Sequence, residues 1–235
     1  MEFRNAQEGQ QQHHPYYPQT LRINHYIPNR IPMESLLLTV GSVMALLIIT
    51  SFVLAAARKS SKTNKNKKGE ALRFTWFVLC IFLHCGFEAY WVYHHKTIAG
   101  QSDLLAELWK EYAHGDSRYL SSDPVLLALE TITVFVWGPL CCLAARAIWM
   151  DDSKQYLWQL LASMAHLFST TLYFVMDLPT GFASCNPHPL YFWVYFVSFN
   201  SPWFIVPAIL LVQSFKTISS SLSVAAHDMD VKKCS

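Results

Sequence analysis

Long apolar segments dominate this chain, and three ionisable side chains lie inside them. His84 and Glu88 occur in the run FTWFVLCIFLHCGFEAYWVY, and Glu130 occurs in PVLLALETITVFVWGPL. A carboxylate near the middle of a bilayer costs about 3 kcal/mol or more unless it faces the protein interior. The apolar segments must therefore pack around a polar interior. Two carboxylates and an imidazole in such a place are suited to moving a proton.

The composition also indicates a polytopic membrane protein. Only 14% of the 235 residues are charged, whereas soluble domains average about 25%. Five segments are near or above the roughly 20 residues that a helix needs to cross the hydrocarbon core. We predict an all-α integral membrane protein with five transmembrane helices around an intramembrane ligand cavity. The predicted spans cover residues 34–57, 72–93, 124–148, 156–176 and 190–215.

Lysine and arginine set the predicted orientation. The loop at about 58–73 is rich in basic residues, which favour the cytosolic side. Threading five spans from there leaves twelve Lys and Arg in the cytosol and six on the lumenal side. We therefore predict a polar lumenal segment 1–33, a membrane domain 34–215 and a cytosolic tail 216–235. The first span is expected to act as its own insertion signal.

Two shorter signals lie outside the spans. In the lumenal loop at about 94–122, the run DLLAELWKEY alternates apolar and charged residues at helical spacing, and Asp103 is a suitable N-cap. This pattern predicts a short interfacial helix over the mouth of the bundle. The chain ends in KKCS, so Lys232 and Lys233 match the dilysine retrieval signal of the endoplasmic reticulum. An ordinary solvated basic tail is the alternative.

Cysteine spacing and motif searches yield no cofactor site. The six cysteines form no CxxC pair and no Cys/His zinc spacing, and only Cys185 falls in an external loop. We expect the cysteines to act as small core residues. Because the sequence contains no nucleotide, flavin, haem or metal motif, we predict a reaction that uses no cofactor and no metal.

Helical spacing groups the polar residues of the spans. His84 and Glu88 are four apart and share one face, and Glu130, Thr133 and Trp137 form another stripe. Each residue alone is compatible with ordinary packing or interhelical hydrogen bonding. Glu88 and Glu130 are harder to explain in this way, because no Lys or Arg within the spans is placed to neutralise them. A shared interior site is therefore favoured.

The fifth span adds an amide and an aromatic wall. Asn200 and Trp203 are three apart in LYFWVYFVSFNSPWF. Such walls indicate a flat, apolar ligand, and a carboxylate facing tryptophan rings suits a cation. An enzyme with these groups would stabilise a carbocation formed by protonating an alkene and then remove a different proton. The reaction would be an isomerisation.

At these residues the chain resembles the emopamil-binding protein family of sterol Δ8–Δ7 isomerases, which carry the EXPERA domain. The resemblance covers most of the chain and includes HPYYPQTLRINHYIPN, the HxxxE from His84 to Glu88, LWKEYAHGDSRY, LETITVFVWGPL and HPLYFWVYFVSFNSPWF. It implies a five-helix membrane fold, isomerase activity in sterol biosynthesis and location in the endoplasmic reticulum. The implied catalytic residues are His84, Glu88, Glu130, Thr133, Asn200 and Trp203. The predicted ligand-binding residues are Tyr112, Tyr119, Leu129, Trp137 and Phe199.

The mechanism that the resemblance implies uses both glutamates, Glu88 and Glu130, in different roles. An acid formed by His84 and Glu88 protonates carbon 9, Glu130 and Trp203 hold the cation at carbon 8, and a base removes a proton from carbon 7. Thr133 and Asn200 are expected to orient the carboxylate and the imidazole. The alternatives are a non-catalytic sterol- or drug-binding protein and a proton-coupled transporter, which the absence of inverted repeats disfavours.

The expected partners follow from the same site. They are a sterol from the bilayer and cationic amphiphilic drugs, which mimic the carbocation. Exposed small and aromatic residues are compatible with a homodimer. We expect no nucleic-acid partner.

Overall fold

A computed structural model describes residues 13–58 and 67–234 of the chain, and every regular element in that part is helical. The first twelve residues and the basic positions Lys59, Lys62 and Lys65 lie outside the described residues, as does the side chain of Lys233. The helices are α1 Met33–Ala57, α2 Lys67–His94, α3 Leu104–Tyr112, α4 Arg118–Ser121, α5 Pro124–Trp149, α6 Gln155–Asp177 and α7 Pro202–Cys234. A π-helical segment, Leu190–Ser198, precedes α7.

Four stretches are long and apolar enough to cross a membrane, which indicates a membrane protein. They are α1, α2, α5 and the stretch Leu190–Lys232. The 25 residues of α1 span about 37 Å at 1.5 Å per residue. Leu38, Leu46 and Ile49 on α1 are at least 60% exposed. An apolar helix that exposes leucines along its length is suited to contact with lipid.

The fourth predicted span differs from these four because it is more polar. Helix α6 has 23 residues, enough for about 34 Å, but its composition does not place it among the four apolar stretches. Its polar residues are buried along the helix, at Gln155, Gln159, Ser163, His166 and Thr170. This helix therefore turns a polar stripe towards the interior and packs between α5 and α7.

The loop between α2 and α5 folds against the N-terminal segment. Asp103 caps α3 as predicted, since its side chain accepts hydrogen bonds from the Leu105 and Ala106 amides. The Glu107 carboxylate accepts the Arg30 and Ile31 amides at 3.1 and 2.8 Å. The charged side of α3 is therefore buried against residues 27–31 and is not a solvated face.

Charge and aromatic stacking hold α3 in place. The Lys110 ammonium is fully buried and donates to the carbonyls of Ile27 and Gln101 at 2.9 and 2.8 Å. Burial lowers the pKa of Lys110, and the nearby Glu107 carboxylate opposes that shift. The Trp109 ring stacks on Phe87 of α2 at 4.3 Å between centroids. Helix α3 is thus fixed to both the N-terminal segment and the bundle.

Two π-helical turns interrupt the long helices α2 and α5, and a third π-helical segment precedes α7. They cover Leu83–Glu88 in α2, Thr133–Trp137 in α5 and Leu190–Ser198 before α7. The first two pack on each other. Gly138 follows the second turn, and a Cβ there would lie 2.6 Å from the Cys85 Sγ. The absence of a side chain at Gly138 lets α2 and α5 approach closely at this level.

Helix α7 is longer than the predicted fifth span. It begins at Pro202, whose missing amide suits the first turn of a helix. It continues to Cys234, well beyond the expected end near residue 215, so the predicted tail is largely helical.

Five cysteines divide between core and surface, and the side chain of Cys234 lies outside the described residues. Cys80, Cys141 and Cys185 are buried, as expected of small core residues. Cys85 and Cys142 are exposed, so for these two the expectation was wrong. Each directly follows a buried residue, His84 or Cys141, and the next side chain of a helix points about 100° away from it.

Candidate active site

A cavity of about 240 Å³ lies between the spans and the α2–α5 loop. Its walls include all eleven residues that the sequence analysis assigned to catalysis or ligand binding. Aromatic and aliphatic side chains make up most of the lining, and no Lys or Arg lines it in the part of the chain that the structure describes. The predicted residues lining it are His84, Glu88, Tyr112, Tyr119, Leu129, Glu130, Thr133, Trp137, Phe199, Asn200 and Trp203.

One side of the cavity is built on the π-helical turn of α2. The His84 Nδ1 lies 2.8 Å from a Glu88 carboxylate oxygen, as the four-residue spacing predicts. His84 is 3% exposed, so its imidazole is removed from solvent. Its Nε2 faces the Nε2 of His166 on α6 at 3.1 Å. This side thus contains a continuous line from a carboxylate through two imidazoles.

The opposite side joins Glu130 of α5 to the loop. The Tyr119 hydroxyl donates to a Glu130 carboxylate oxygen at 2.5 Å. Tyr119 is held by a group of aromatic rings, 4.6 Å from Trp109 and 5.0 Å from Trp91 between centroids. The Trp91 indole also donates to the Tyr119 carbonyl at 2.7 Å. The loop therefore carries the only hydrogen-bond donor to Glu130 among the described contacts.

A second tyrosine of the α2–α5 loop, Tyr112, contacts the turn that joins the π-helical segment to α7. The Asn200 amide donates to the Tyr112 hydroxyl at 3.0 Å and to the Phe196 carbonyl at 2.7 Å. The Phe196 carbonyl is free to accept because the backbone changes from the π-helical segment to a turn at residue 199. Asn200 thus connects the loop to the last helix.

Thr133 and Asn200, which were predicted to orient the carboxylate and the imidazole, hydrogen-bond other groups in this structure. The Thr133 hydroxyl donates to the Leu129 carbonyl at 3.0 Å, which is the usual bond of a threonine to the preceding helical turn. Asn200 bonds a phenol, because the loop places Tyr112 there. Among the described residues, neither side chain hydrogen-bonds a carboxylate or an imidazole.

The indole rings of Trp137 and Trp203 have different neighbours in the cavity. Trp137 donates its Nε1–H to the Ser169 hydroxyl at 2.8 Å. The Trp203 ring lies 5.6 Å from Trp76 and 6.5 Å from His84 between centroids, and its Nε1 is buried without a partner among the described residues. Trp203 therefore belongs to the histidine side of the cavity rather than to the Glu130 side.

Sequence comparisons relate most of this chain to known proteins. The chain is 32% identical to the 3-beta-hydroxysteroid-Δ8,Δ7-isomerase of Rattus norvegicus over 90% of its own length and 91% of that protein. It is 34% identical to the protein of the same name from Cavia porcellus, covering 86% and 88% of the two chains. The EXPERA family, the expanded EBP superfamily, matches residues 104–214. The chain belongs to the EXPERA family.

The chain is also similar to a protein with a different name. Protoglabretal synthase of Ailanthus altissima is 30% identical over 88% of this chain and 93% of its own. The EXPERA match begins at Leu104, the first residue of α3, and so contains Glu130, Tyr119 and Asn200. His84 and Glu88 precede the matched region. The side of the cavity that contains Glu130, Tyr119 and Asn200, which we call the phenol side, therefore lies within the residues that match the family.

The sequence analysis missed several polar residues of this EXPERA protein's cavity, among them His166 and Glu111. His166 lies in the fourth predicted span, where an imidazole inside an apolar segment is itself a signal. Glu111 lines the cavity from α3 and accepts the Tyr195 hydroxyl at 2.9 Å. Burial raises the pKa of Glu111, while the bond from Tyr195 opposes that shift. Nothing in the spacing of DLLAELWKEY indicates which of its charged residues faces the cavity.

Proposed function

We propose that this protein is a sterol Δ8–Δ7 isomerase that shifts a ring double bond by protonation and deprotonation. The single observation that carries the proposal is that Glu88 and Glu130 face one apolar cavity that no Lys or Arg of the described residues lines. Glu88 is bonded to His84 and Glu130 to Tyr119. The animal relatives, which are named 3-beta-hydroxysteroid-Δ8,Δ7-isomerases, support the same reaction.

The chemistry follows from the two sides. The His84–Glu88 pair delivers a proton to carbon 9 of the Δ8 sterol, and the alkene electrons form the new C–H bond. The cation left at carbon 8 is attracted by the Glu130 carboxylate and by indole faces. A base then removes a proton from carbon 7, and its bonding electrons form the Δ7 alkene. No net oxidation occurs, so the reaction balances without a cofactor.

The membrane arrangement is part of the proposal. The polar stripe of α6 faces the bundle interior, so α6 is proposed to be a fifth span beside the four apolar stretches. The N-terminus is lumenal, α3 lies at the interface and α7 ends in the cytosol. Lys232 and Lys233 then retrieve the protein to the endoplasmic reticulum, and the sterol enters the cavity from the bilayer.

The same cavity is proposed to bind cationic amphiphilic amines. A protonated amine places positive charge where the carbocation develops, so it should bind far better than the substrate. A neutral analogue of matched shape should inhibit much less. Equal inhibition by the two would contradict the assignment of Glu130 to charge stabilisation.

The decisive experiment supplies a Δ8 sterol such as zymosterol to the purified protein in D2O. Mass spectrometry should find a Δ7 product that carries one deuterium, because the proton comes from an exchangeable acid. Glu34→Gln, which changes an exposed carboxylate outside the cavity, serves as the matched control and should retain turnover.

The opposite outcome identifies the alternative. Unchanged sterol, together with tight amine binding in the same sample, would mean a binding protein that keeps the cavity without the chemistry. A Δ7 product without deuterium would contradict protonation by an exchangeable acid.

A further inference from the structure

A cluster of four metal-ligating side chains lies beside the cavity. Cys80 and His84 belong to α2, Cys141 belongs to α5 and His166 belongs to α6. Their ligand atoms all lie within 4.8 Å of one another. Each residue is at most 3% exposed. Three helices that are far apart in sequence therefore bring two thiols and two imidazoles to one buried point.

The spacing of the ligand atoms suits a tetrahedral ion. The two Nε2 atoms of His84 and His166 are 3.1 Å apart, and the Cys141 Sγ lies 3.6 Å from the His166 Nε2. Zinc binds nitrogen at about 2.0–2.1 Å and sulfur at about 2.3 Å, so adjacent tetrahedral ligands are separated by roughly 3.3–3.8 Å. These two separations are close to the tetrahedral values, and the remaining ligand atoms lie within 4.8 Å of one another, so the outermost would move inward by up to about 1 Å to bind an ion.

The surroundings of His84 also match those of a metal ligand. Its Nδ1 is bonded to the Glu88 carboxylate at 2.8 Å, which leaves its Nε2 directed at the cluster. Metal-bound histidines usually donate the other ring N–H to a carboxylate or carbonyl in this way. Cys80 lies four residues before His84 and so projects from the same face of α2.

We propose that Cys80, His84, Cys141 and His166 form a binding site for one Zn²⁺ ion. Two thiolates and two imidazoles form a ligand set that favours tetrahedral zinc over harder cations. Binding releases the two thiol protons to solvent, so two negative sulfurs balance the dication. A neutral complex suits a buried position, where an unbalanced charge would be costly. This site stands on its own geometry and does not depend on the proposed isomerase activity.

Cobalt is the probe that tests the site. The full-length protein is purified in detergent with a reductant, stripped with a chelator and titrated with Co²⁺. We expect one Co²⁺ per chain, with thiolate charge-transfer absorption and the visible bands of tetrahedral cobalt. Added Zn²⁺ should bleach these bands, because zinc binds such sites more tightly than cobalt. The absence of thiolate charge transfer at saturating Co²⁺ would overturn the proposal.

Neighbouring cysteines provide matched controls. Cys141→Ser removes one ligand and should reduce both the affinity and the charge-transfer intensity, whereas Cys142→Ser changes the adjacent exposed thiol and should change neither. Cys80→Ser and Cys85→Ser form a second pair on α2. An equal loss of the cobalt spectrum in the control variants would contradict the assignment.

Two further variants distinguish a metal ligand, His166, from Glu88, which orients the ligand His84. His166→Gln should remove the tetrahedral spectrum. Glu88→Gln keeps all four ligands and should weaken Co²⁺ binding by about 10- to 100-fold, the usual effect of losing the group that orients a ligand. Thermal unfolding of each variant without metal checks that it is folded. A folded His166→Gln protein that binds Co²⁺ like the wild type would exclude the site.

Discussion

Two of the carboxylates that line the cavity, those of Glu88 and Glu130, are held by different kinds of structure. Glu88 is bonded to a residue four positions away on its own helix, so the partner is determined locally. Glu130 is bonded to Tyr119, which reaches it from the loop between α2 and α5. The histidine side therefore depends on helix geometry, and the phenol side depends on tertiary packing. Substitutions should separate these two modes of support.

The largest expected effect is on the histidine side. Glu88→Gln removes an ionisable group from the proposed acid, and general acid–base catalysis contributes about 100- to 10,000-fold. Turnover of the Δ8 sterol should fall by that factor while amine binding persists. Product formation measured by mass spectrometry tests the change, and turnover within threefold of wild type would remove Glu88 from the mechanism.

Glu130→Gln should produce the next largest loss. The carboxylate is proposed to stabilise developing positive charge, and the loss of one preorganised group costs roughly 100- to 1,000-fold in kcat. The variant should also lose its preference for charged over neutral amine inhibitors, unlike Glu88→Gln. If the preference for amines survived, Glu130 would not be the group that faces the cation.

Bound zinc should impair the part of the cavity that contains His84 and Glu88 and leave the Glu130 side unchanged. An ion at the four-residue cluster occupies the His84 Nε2, so bound zinc and proton transfer through His84 exclude each other. Free Zn²⁺ at ten times its Kd should lower turnover about tenfold by mass action. A chelator should restore activity. His166→Gln should lose this sensitivity, and an unchanged response in that variant would place the inhibitory ion elsewhere.

A smaller effect is expected for Tyr119→Phe. The change removes one hydrogen bond to a buried carboxylate and keeps the ring within its aromatic group. A bond to a charged group contributes about 1.5 kcal/mol or more, so kcat should fall about tenfold with little change in KM. Leu127→Ile is a conservative control near Glu130 that leaves the hydrogen bond intact. A change confined to KM would assign Tyr119 to substrate binding.

The smallest effect concerns acid stability of the loop. Burial lowers the pKa of His114 to about 4, whereas an unfolded histidine titrates near 6.5. The unfolded state therefore binds more protons as the pH falls from about 6.5 to 4, and stability declines across that range. His114→Phe keeps a ring against Tyr191, which stacks on His114 at 4.5 Å. Its melting temperature in detergent should depend less on pH, and an identical profile would contradict this role.

Sequence reasoning succeeded where contacts are local. The four-residue spacing of His84 and Glu88 predicted their bond, and Asp103 preceding an amphipathic run predicted its cap. The predicted residues line one cavity because polar positions inside apolar helices have few other places to face. Helical periodicity and the cost of exposing charge to lipid were sufficient for these inferences.

The remainder depends on tertiary structure. No spacing rule relates Tyr119 to Glu130, because the path of the loop decides that contact. Thr133 found a partner within its own helix, and the burial of Glu107 and Lys110 depends on backbone groups of the N-terminal segment. The four-residue Cys/His cluster was invisible for the same reason, since its members come from three helices.

The π-helical turns have a consequence for how this chain tolerates insertions and deletions. Each such turn closes its hydrogen bonds one residue later than an α-helix does. Deleting one residue from Leu83–Glu88 would therefore restore ordinary α-helical bonding and leave the side chains beyond it, including Trp91 beside Tyr119, near their present angular positions. The same deletion in the α-helical part of this helix would rotate every later side chain by about 100° around the axis. The π-helical turn is thus the place in this helix where a change of one residue disturbs the packing beyond it least.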